Sequence, residues 1–283
     1  MIASGVRGWA IVLVAWILLP QSGFTQTPSP LQEWQYSSGI ELQRLYEPHI
    51  PQWKVVLGAG AEAKPLYDGA QPYRVQAGPV ISIRYSDIAF ASTGEGVGIN
   101  VLRGANYRMG LAAGYDLGRR VSDDENHLHG LPDIRRAPVF KAFGSYVLSK
   151  DFPLVVRGDV RQSIGRGPDG MIGDVGAYMP IPGSSEHFAL FAGPSITIAS
   201  RKYLNKRFGV TASQSLTSGI ASYRPRAGVT AAGLGVSTTA FITDRLMLNA
   251  DAAMDWLLPD ARGSPLIQRT AQPALAISVA YMW

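Results

Sequence analysis

From Trp53 to Trp283, apolar and polar side chains trade places residue by residue, in one segment after another. A β-strand points successive side chains to opposite faces, so this pattern demands a sheet with one apolar face and one polar face. The clearest stretch is 106–117. Tyr107, Met109, Leu111, Ala113, Tyr115 and Leu117 share one face, and Asn106, Arg108, Gly110, Ala112, Gly114 and Asp116 share the other. At 73–85, Tyr73, Val75, Ala77, Ile81, Ile83 and Tyr85 oppose Arg74, Gln76, Ser82 and Arg84. At 152–164, Phe152, Leu154, Val156, Val160 and Ile164 oppose Arg157, Asp159, Arg161 and Ser163. At 245–256, Leu246, Leu248, Ala250, Met254 and Trp256 oppose Arg245, Asn249, Asp251 and Asp255.

Two all-β folds carry such a pattern: a soluble sandwich and a membrane barrel. Composition separates them. Only 17% of the residues are charged and 46% are hydrophobic, whereas soluble domains run to about 25% charged. Beyond position 20 no apolar run approaches the roughly 20 residues a membrane helix needs. Weaker alternating segments at 53–62, 87–92, 96–103, 138–149, 169–179, 187–199, 227–241 and 273–283 complete a set of twelve, within a range of ten to fourteen. An even number suits a bacterial single-chain barrel. The connections agree. Ser86-Asp87, Gly104-Ala105, Ser149-Lys150-Asp151 and Thr243-Asp244 are tight turns and Pro180 to Glu186 is modestly longer, whereas 119–137, 200–226 and 257–272 are long. Short turns alternating with long loops is the rule of up-and-down transmembrane barrels, and a sandwich has no reason to obey it. The expected fold is therefore an all-β, antiparallel up-and-down transmembrane β-barrel. Pro79 and Pro194 fall inside expected strands, where a proline removes a ladder donor, and are read as bulges or strand breaks.

The N-terminus reads as a targeting device. Arg7 precedes an apolar run from Trp9 to Leu19, closed by Pro20 and Gln21-Ser22-Gly23, and this has the build of a secretory signal. The expected organisation is a signal peptide over 1–24, cleaved between Ser22 and Thr27, and a periplasmic arm over 25–52 with a short helix at Leu31–Tyr46. The barrel follows over 53–283. The last segment sets Leu275, Ile277, Val279, Tyr281 and Trp283 on one apolar face and ends on an aromatic residue. It resembles the terminal strand recognised by the barrel-assembly machinery of outer membranes, an expected partner along with outer-membrane lipids and lipopolysaccharide. The net charge is +5, but its arginines are scattered, which argues against nucleic acid. No cysteine is present, so disulfides and thiolate metal sites are excluded.

Several short pieces, in order, resemble the MipA/OmpV family of outer-membrane proteins. They are Gly58-Ala59-Gly60-Ala61, Pro65-x-Tyr67-x-Gly69, Gly114-Tyr115-Asp116-x-Gly118-Arg119 and Leu128-x-Gly130-Leu131-x-Asp133-Ile134. Phe208-Gly209-Val210-Thr211, Gln214-Ser215, Ser218-Gly219 and Ser264-Pro265 follow. The resemblance covers Trp53 to Trp283, and the arm departs from the family pattern. It implies a non-enzymatic outer-membrane barrel of a Gram-negative bacterium, described in some members as a scaffold for murein hydrolases and synthases, with no cofactor.

Candidate functional residues follow from the polar faces. Arg74, Arg84, Arg108, Arg157, Asp159, Arg161, Asp174, Asp251 and Asp255 are expected to line the interior. They would form either a small, anion-favouring pore or a lumen packed with mutually paired charges, and twelve strands favour packing. The segment Ser122-Asp123-Asp124-Glu125-Asn126-His127-Leu128-His129 has the donor types of a metal site, but it falls in an outer loop where solvated acids are the ordinary outcome. Gly-x-Ser-x-Gly is absent, and His49, His127, His129 and His187 are the only histidines. Nothing sets a base beside a nucleophile, so no catalytic, metal or cofactor residues are expected. Loop 200–226 carries Arg201, Lys202, Lys206, Arg207, Arg224 and Arg226. These suit either lipopolysaccharide phosphates or a loop plugging the barrel mouth.

Overall fold

The computed structural model describes residues 50–164, 170–182, 184 and 187–283; the expected signal peptide and the helix at Leu31–Tyr46 lie outside them. Twelve antiparallel strands close into one barrel, each hydrogen-bonded to its neighbours in sequence, with the first strand joined to the last. They are β1 (Trp53–Pro65), β2 (Tyr73–Tyr85), β3 (Ala89–Ser92), β4 (Gly96–Arg103), β5 (Tyr107–Asp116) and β6 (Ala137–Val147). β7 (Val155–Ser163), β8 (Met171–Pro180), β9 (Phe188–Ala199), β10 (Gly228–Phe241), β11 (Leu246–Leu257) and β12 (Ala271–Met282) complete the ring. Phe152 and Leu154, expected in a strand, instead belong to the turn before β7, where Leu148 and Leu154 share a backbone hydrogen bond.

Closure satisfies every strand edge except where a strand is short, and alternation then assigns the faces. β12 presents Leu275, Ile277 and Val279 outward, all exposed, while Ser278 and Ala280, of the opposite parity, are buried. Twelve residue steps along β2, at ~3.3 Å each and tilted by about 40°, span about 30 Å, enough for an apolar band of ~25 Å and its rims. Aromatic side chains mark the rims, as amphipathic rings do at membrane–water boundaries. At the turn end Trp53 packs at a tilt against Tyr85 with centroids 4.7 Å apart, and Tyr281 against Trp283 at 4.5 Å. Among the described residues, no helix is long and apolar enough to cross a membrane.

The prolines are neither bulges nor breaks in the sense expected. Pro79 keeps its register with Ala59 on β1. Its nitrogen faces the β3 side, on the same edge as Ile81, whose carbonyl accepts from Thr93; β3 ends at Ser92, so no partner is lost. Pro194 stays paired with Leu234 on β10. The β8 ladder lapses beside it, between Gly176–Ser195 and Met179–Ala192, and resumes unshifted. The true register shifts lie at Val229/Ala231 and Asn100/Leu102.

The turn at Ser86-Asp87 has positive φ at both residues, 44° and 58°, although neither is glycine, and the Ile88 amide closes it by donating to the Tyr85 carbonyl. Long connections gather at the opposite end. They carry a 3₁₀ turn (Val121–Asp123) and the helices α1 (Glu125–Leu128), α2 (Arg201–Phe208), α3 (Ala212–Ser218) and α4 (Pro259–Arg262). One connection breaks the expected alternation. The β3–β4 turn at 93–95 lies at the loop end, yet it is among the tightest in the molecule.

Candidate functional site

The charged interior and its loop-covered mouth form the part of the molecule where polar chemistry is concentrated. All nine candidate residues fall on inner faces. This follows from strand parity: Arg84 pairs in register with Lys54, Asp159 with Asp174, and Asp251 with Ser237. The structure brings seven of the nine into ion pairs. Glu95, from the tight β3–β4 turn, reaches inward between Arg157 at 2.9 Å and Arg84 at 3.5 Å. Arg108 meets Asp87 at 2.6 Å, and Asn100 donates to the Asp87 carbonyl at 2.8 Å. That contact gives Asp87 a reason to occupy its strained turn.

Arg161 bridges Asp159 at 3.0 Å and Asp174, and Thr197 donates to the second oxygen of Asp174. The guanidinium of Arg157 and the ammonium of Lys141 lie 5.5 and 5.7 Å from the Phe143 ring, within cation–π range. Arg74 is set apart, at the mouth, 3.0 Å from Asp123. Asp251 and Asp255 are not drawn into these pairs. Asp251 is only 6% exposed; the Ser237 hydroxyl, in register with it on β10, lies close to its carboxylate but short of good hydrogen-bonding geometry. Asp255 lies over Gly233, next to Ser195.

Loops fold over the mouth around two apolar clusters. Tyr67, Leu128, Leu131, Val210 and Leu266 form one, and Tyr203, Leu204, Phe208, Leu257 and Ala261 form the other. Helix α2 begins at Ser200, whose hydroxyl accepts from the Tyr203 amide. The spacing of Tyr203, Leu204, Arg207 and Phe208 places all four on one buried face. Arg207 is thereby driven into the mouth, 2.6 Å from Asp116. Arg119 donates to the Arg207 carbonyl at 3.0 Å and lies over the Tyr67 ring at 5.7 Å. The Tyr67 hydroxyl donates to Asp124 at 2.9 Å, which also accepts from Gln268 at 2.8 Å.

These contacts move the titrations at the mouth. Burial, reinforced by the hydrogen bond to Asp124, raises Tyr67 above the ordinary phenol value. Burial, with Arg207 close by, lowers Arg119 to about 10. Burial also opposes the charge on Arg207, but Tyr203, Asp116 and Asp68 more than offset it, and its pKa is raised.

The basic loop divides between the two roles expected of it. Arg207 plugs the mouth, while Arg201, Lys202, Lys206, Arg224 and Arg226 remain exposed. The acidic segment 122–129 becomes a set of straps: Asp123 holds Arg74, Asp124 holds Tyr67 and Gln268, and His129 turns to the Asn126 carbonyl. Among the described residues no three or more metal-ligating side chains converge. The interior charges expected from the sequence do not include Asp87, Glu95, Asp116, Arg119 or Lys141. Asp116 and Lys141 follow from the alternation, and the helical spacing of α2 singles out Arg207 among the basic residues of its loop. Glu95 and Asp87 sit in turns, where no period reports a direction.

The pattern of the family described as "MltA-interacting protein MipA" matches residues 57–283. No curated protein matches the chain. Solved structures similar to it include the NanC porin, with 9% identity, 80% of this chain and 98% of that one covered and a TM-score of 0.41. The COG4313 outer membrane channel from Pseudomonas putida F1 has 9% identity, 83% and 97% coverage and a TM-score of 0.39. The outer membrane channel DcaP of Acinetobacter baumannii has 6%, 82%, 96% and 0.38. At these values the likeness carries no functional information.

Proposed function

The chain belongs to the MltA-interacting protein MipA family, and from that premise we propose that it is a structural and interaction protein of a Gram-negative outer membrane. Its turn end and N-terminal arm face the periplasm and hold murein-remodelling enzymes, a lytic transglycosylase and a synthase, close to the membrane. One observation carries the reading. The interior is occupied by paired charges, with Glu95 between Arg84 and Arg157, and Arg207 closes the mouth against Asp116. An interior spent on its own packing leaves outer surfaces to do the work. Capture of the tagged barrel from solubilised envelopes should recover a murein hydrolase or synthase in stoichiometric yield. Repeated capture without either enzyme overturns the reading.

A small channel is the second reading, and Asp251 favours it. A buried carboxylate with only a serine hydroxyl beside it and no cation is costly unless water or a passing cation reaches it. Steady, ion-selective openings in planar bilayers that change on Asp251→Asn would establish this reading. A silent bilayer excludes it.

A further inference from the structure

The barrel ring is complete at the turn end, where β3 and β4 lie between β2 and β5. Higher up it is not. β3 ends at Ser92, so on that side only Ser82–Tyr85 of β2 are paired with it, and Ile81 bonds to Thr93 of the following turn. Across the gap, β4 follows β5 only as far as Val97–Ala113, and Gly114, Tyr115 and Asp116 continue with β6 alone. Tyr73–Val80 therefore forms a free edge, about 26 Å long at ~3.3 Å per residue, facing the end of β5 across the width of two missing strands. Val75 on this edge is 77% exposed, against 60% for Leu275 and 53% for Ile277 on the fully paired wall. A strand lacking a neighbour on one side should show this difference.

Three features make the gap a built opening. Pro79 lies on the free edge and has no amide hydrogen to offer, which blunts the edge against pairing with another strand. The inner-face residues beside the gap include Gly78 and Gly114, and a side chain added at Gly114 would meet nothing within 4 Å. Water from the lumen can thus reach edge amides that hydrocarbon would leave unsatisfied at several kcal/mol each. Finally, a groove of about 450 Å³ on the outer wall, lined by Ala61, Ala63, Ala250, Ala252 and Ile277 among others, ends at Val75 on this same edge. Its volume falls within the ~300–1,000 Å³ of ligand sites.

The opening thus joins the charged interior to an apolar trough in the membrane. On its inner side Arg74 and Lys64 stand across the β1–β2 ladder, neutralised by Asp123 at 3.0 Å and Glu62 at 2.6 Å. We propose that this lateral opening between β2 and β5 takes a single-chain anionic amphiphile. The alkyl chain lies in the alanine-lined groove and the head group takes Arg74 from Asp123. Carboxylate and phosphate heads meet the same requirement. The Arg74–Asp123 pair acts as a strap across the opening.

The test uses the full-length barrel in phosphatidylcholine bilayers and exploits its lack of cysteine. A fluorophore is placed on Gly114→Cys, on the outward Tyr115→Cys and on Ala276→Cys, whose side chain faces the lumen behind a continuous wall. Chain-brominated lipid should quench position 114 as strongly as 115 and leave 276 bright. If 114 behaves like 276, the wall is closed and the proposal fails. Binding is then measured with myristate, monomyristoyl lysophosphatidate and uncharged monomyristoylglycerol. The proposal expects saturable binding of one or both anionic probes, about tenfold weaker in Arg74→Gln and several-fold tighter in Asp123→Asn. Equal uptake of all three probes, or an Arg74→Gln variant that folds normally and binds as before, overturns it. A preference between the two anions identifies the head group.

Discussion

The two walls of the lumen are built by opposite means. From β5 to β8 the inner face carries Arg108, Lys141, Arg157, Asp159, Arg161 and Asp174, all buried and charged. From β9 through β12 to β1 it is mostly short, with Gly193, Ser195, Gly233, Gly235, Ser237, Ala274, Ala276, Ser278, Gly58 and Gly60, and its charges, Asp251 and Asp255 on β11 and the Glu62–Lys64 pair on β1, stand apart among them. Long side chains project from one wall toward short ones on the other, so the barrel is filled asymmetrically. The apolar core of a soluble protein is here replaced by ion pairs with a flat surface opposite them. Buried charges depend on their partners and flat surfaces on close backbone approach, so the walls should fail in different ways.

The largest effect is expected on the charged wall. Glu95→Ala leaves Arg157 and Arg84 facing each other without the carboxylate between them, and breaking such a buried arrangement costs about 3–5 kcal/mol. Urea unfolding followed by tryptophan fluorescence should show the loss. Adding Arg157→Met should restore part of it, and a double variant no more stable than the single one would refute the pairing. On the flat wall the damage comes from added volume. A methyl group at Gly193 would lie 1.9 Å from the Ala177 carbonyl oxygen, so Gly193→Ala should cost about 1–3 kcal/mol. At Gly158, on the charged side, the nearest atom is 3.6 Å away, and Gly158→Ala should be nearly neutral in the same assay.

The mouth adds a third, pH-dependent case. The pKa of Tyr67 is raised on folding by burial and by Asp124. Its contribution is therefore complete below the unfolded phenol value of ~10 and lost as pH rises beyond it. Protease nicking of the loops should increase above pH ~10 and lose that dependence in Tyr67→Phe, which gives up a hydrogen bond worth about 1 kcal/mol. A slightly smaller or similar loss, about 1 kcal/mol, is expected for Thr211→Ala, which removes the capping box of α3. The smallest effect belongs to the exposed pair of Arg226 and Asp260, 3.1 Å apart. Hydrogen bonds from Arg226 hold the Asp260 carboxyl below its ordinary value. Whatever the pair contributes is present above the unfolded pKa and fades as pH falls through the folded one, and Asp260→Asn should leave the melting temperature unchanged at neutral pH.

The sequence alone determined the barrel and the facing of its strands. A two-residue period ties each side chain to one face, so the parity of Arg157 and Asp251 within their strands directs both to the interior. Ring closure followed from the same pattern, because open edges are costly in hydrocarbon. Tertiary structure alone decided who meets whom. Glu95 finds Arg157 across 62 residues of chain, and Arg207 finds Asp116 across 91. Alternation records direction and not distance, and turns and loops record neither. The tightness of residues 93–95 was visible in the sequence, but that it leaves a strand edge bare is a property of the closed ring.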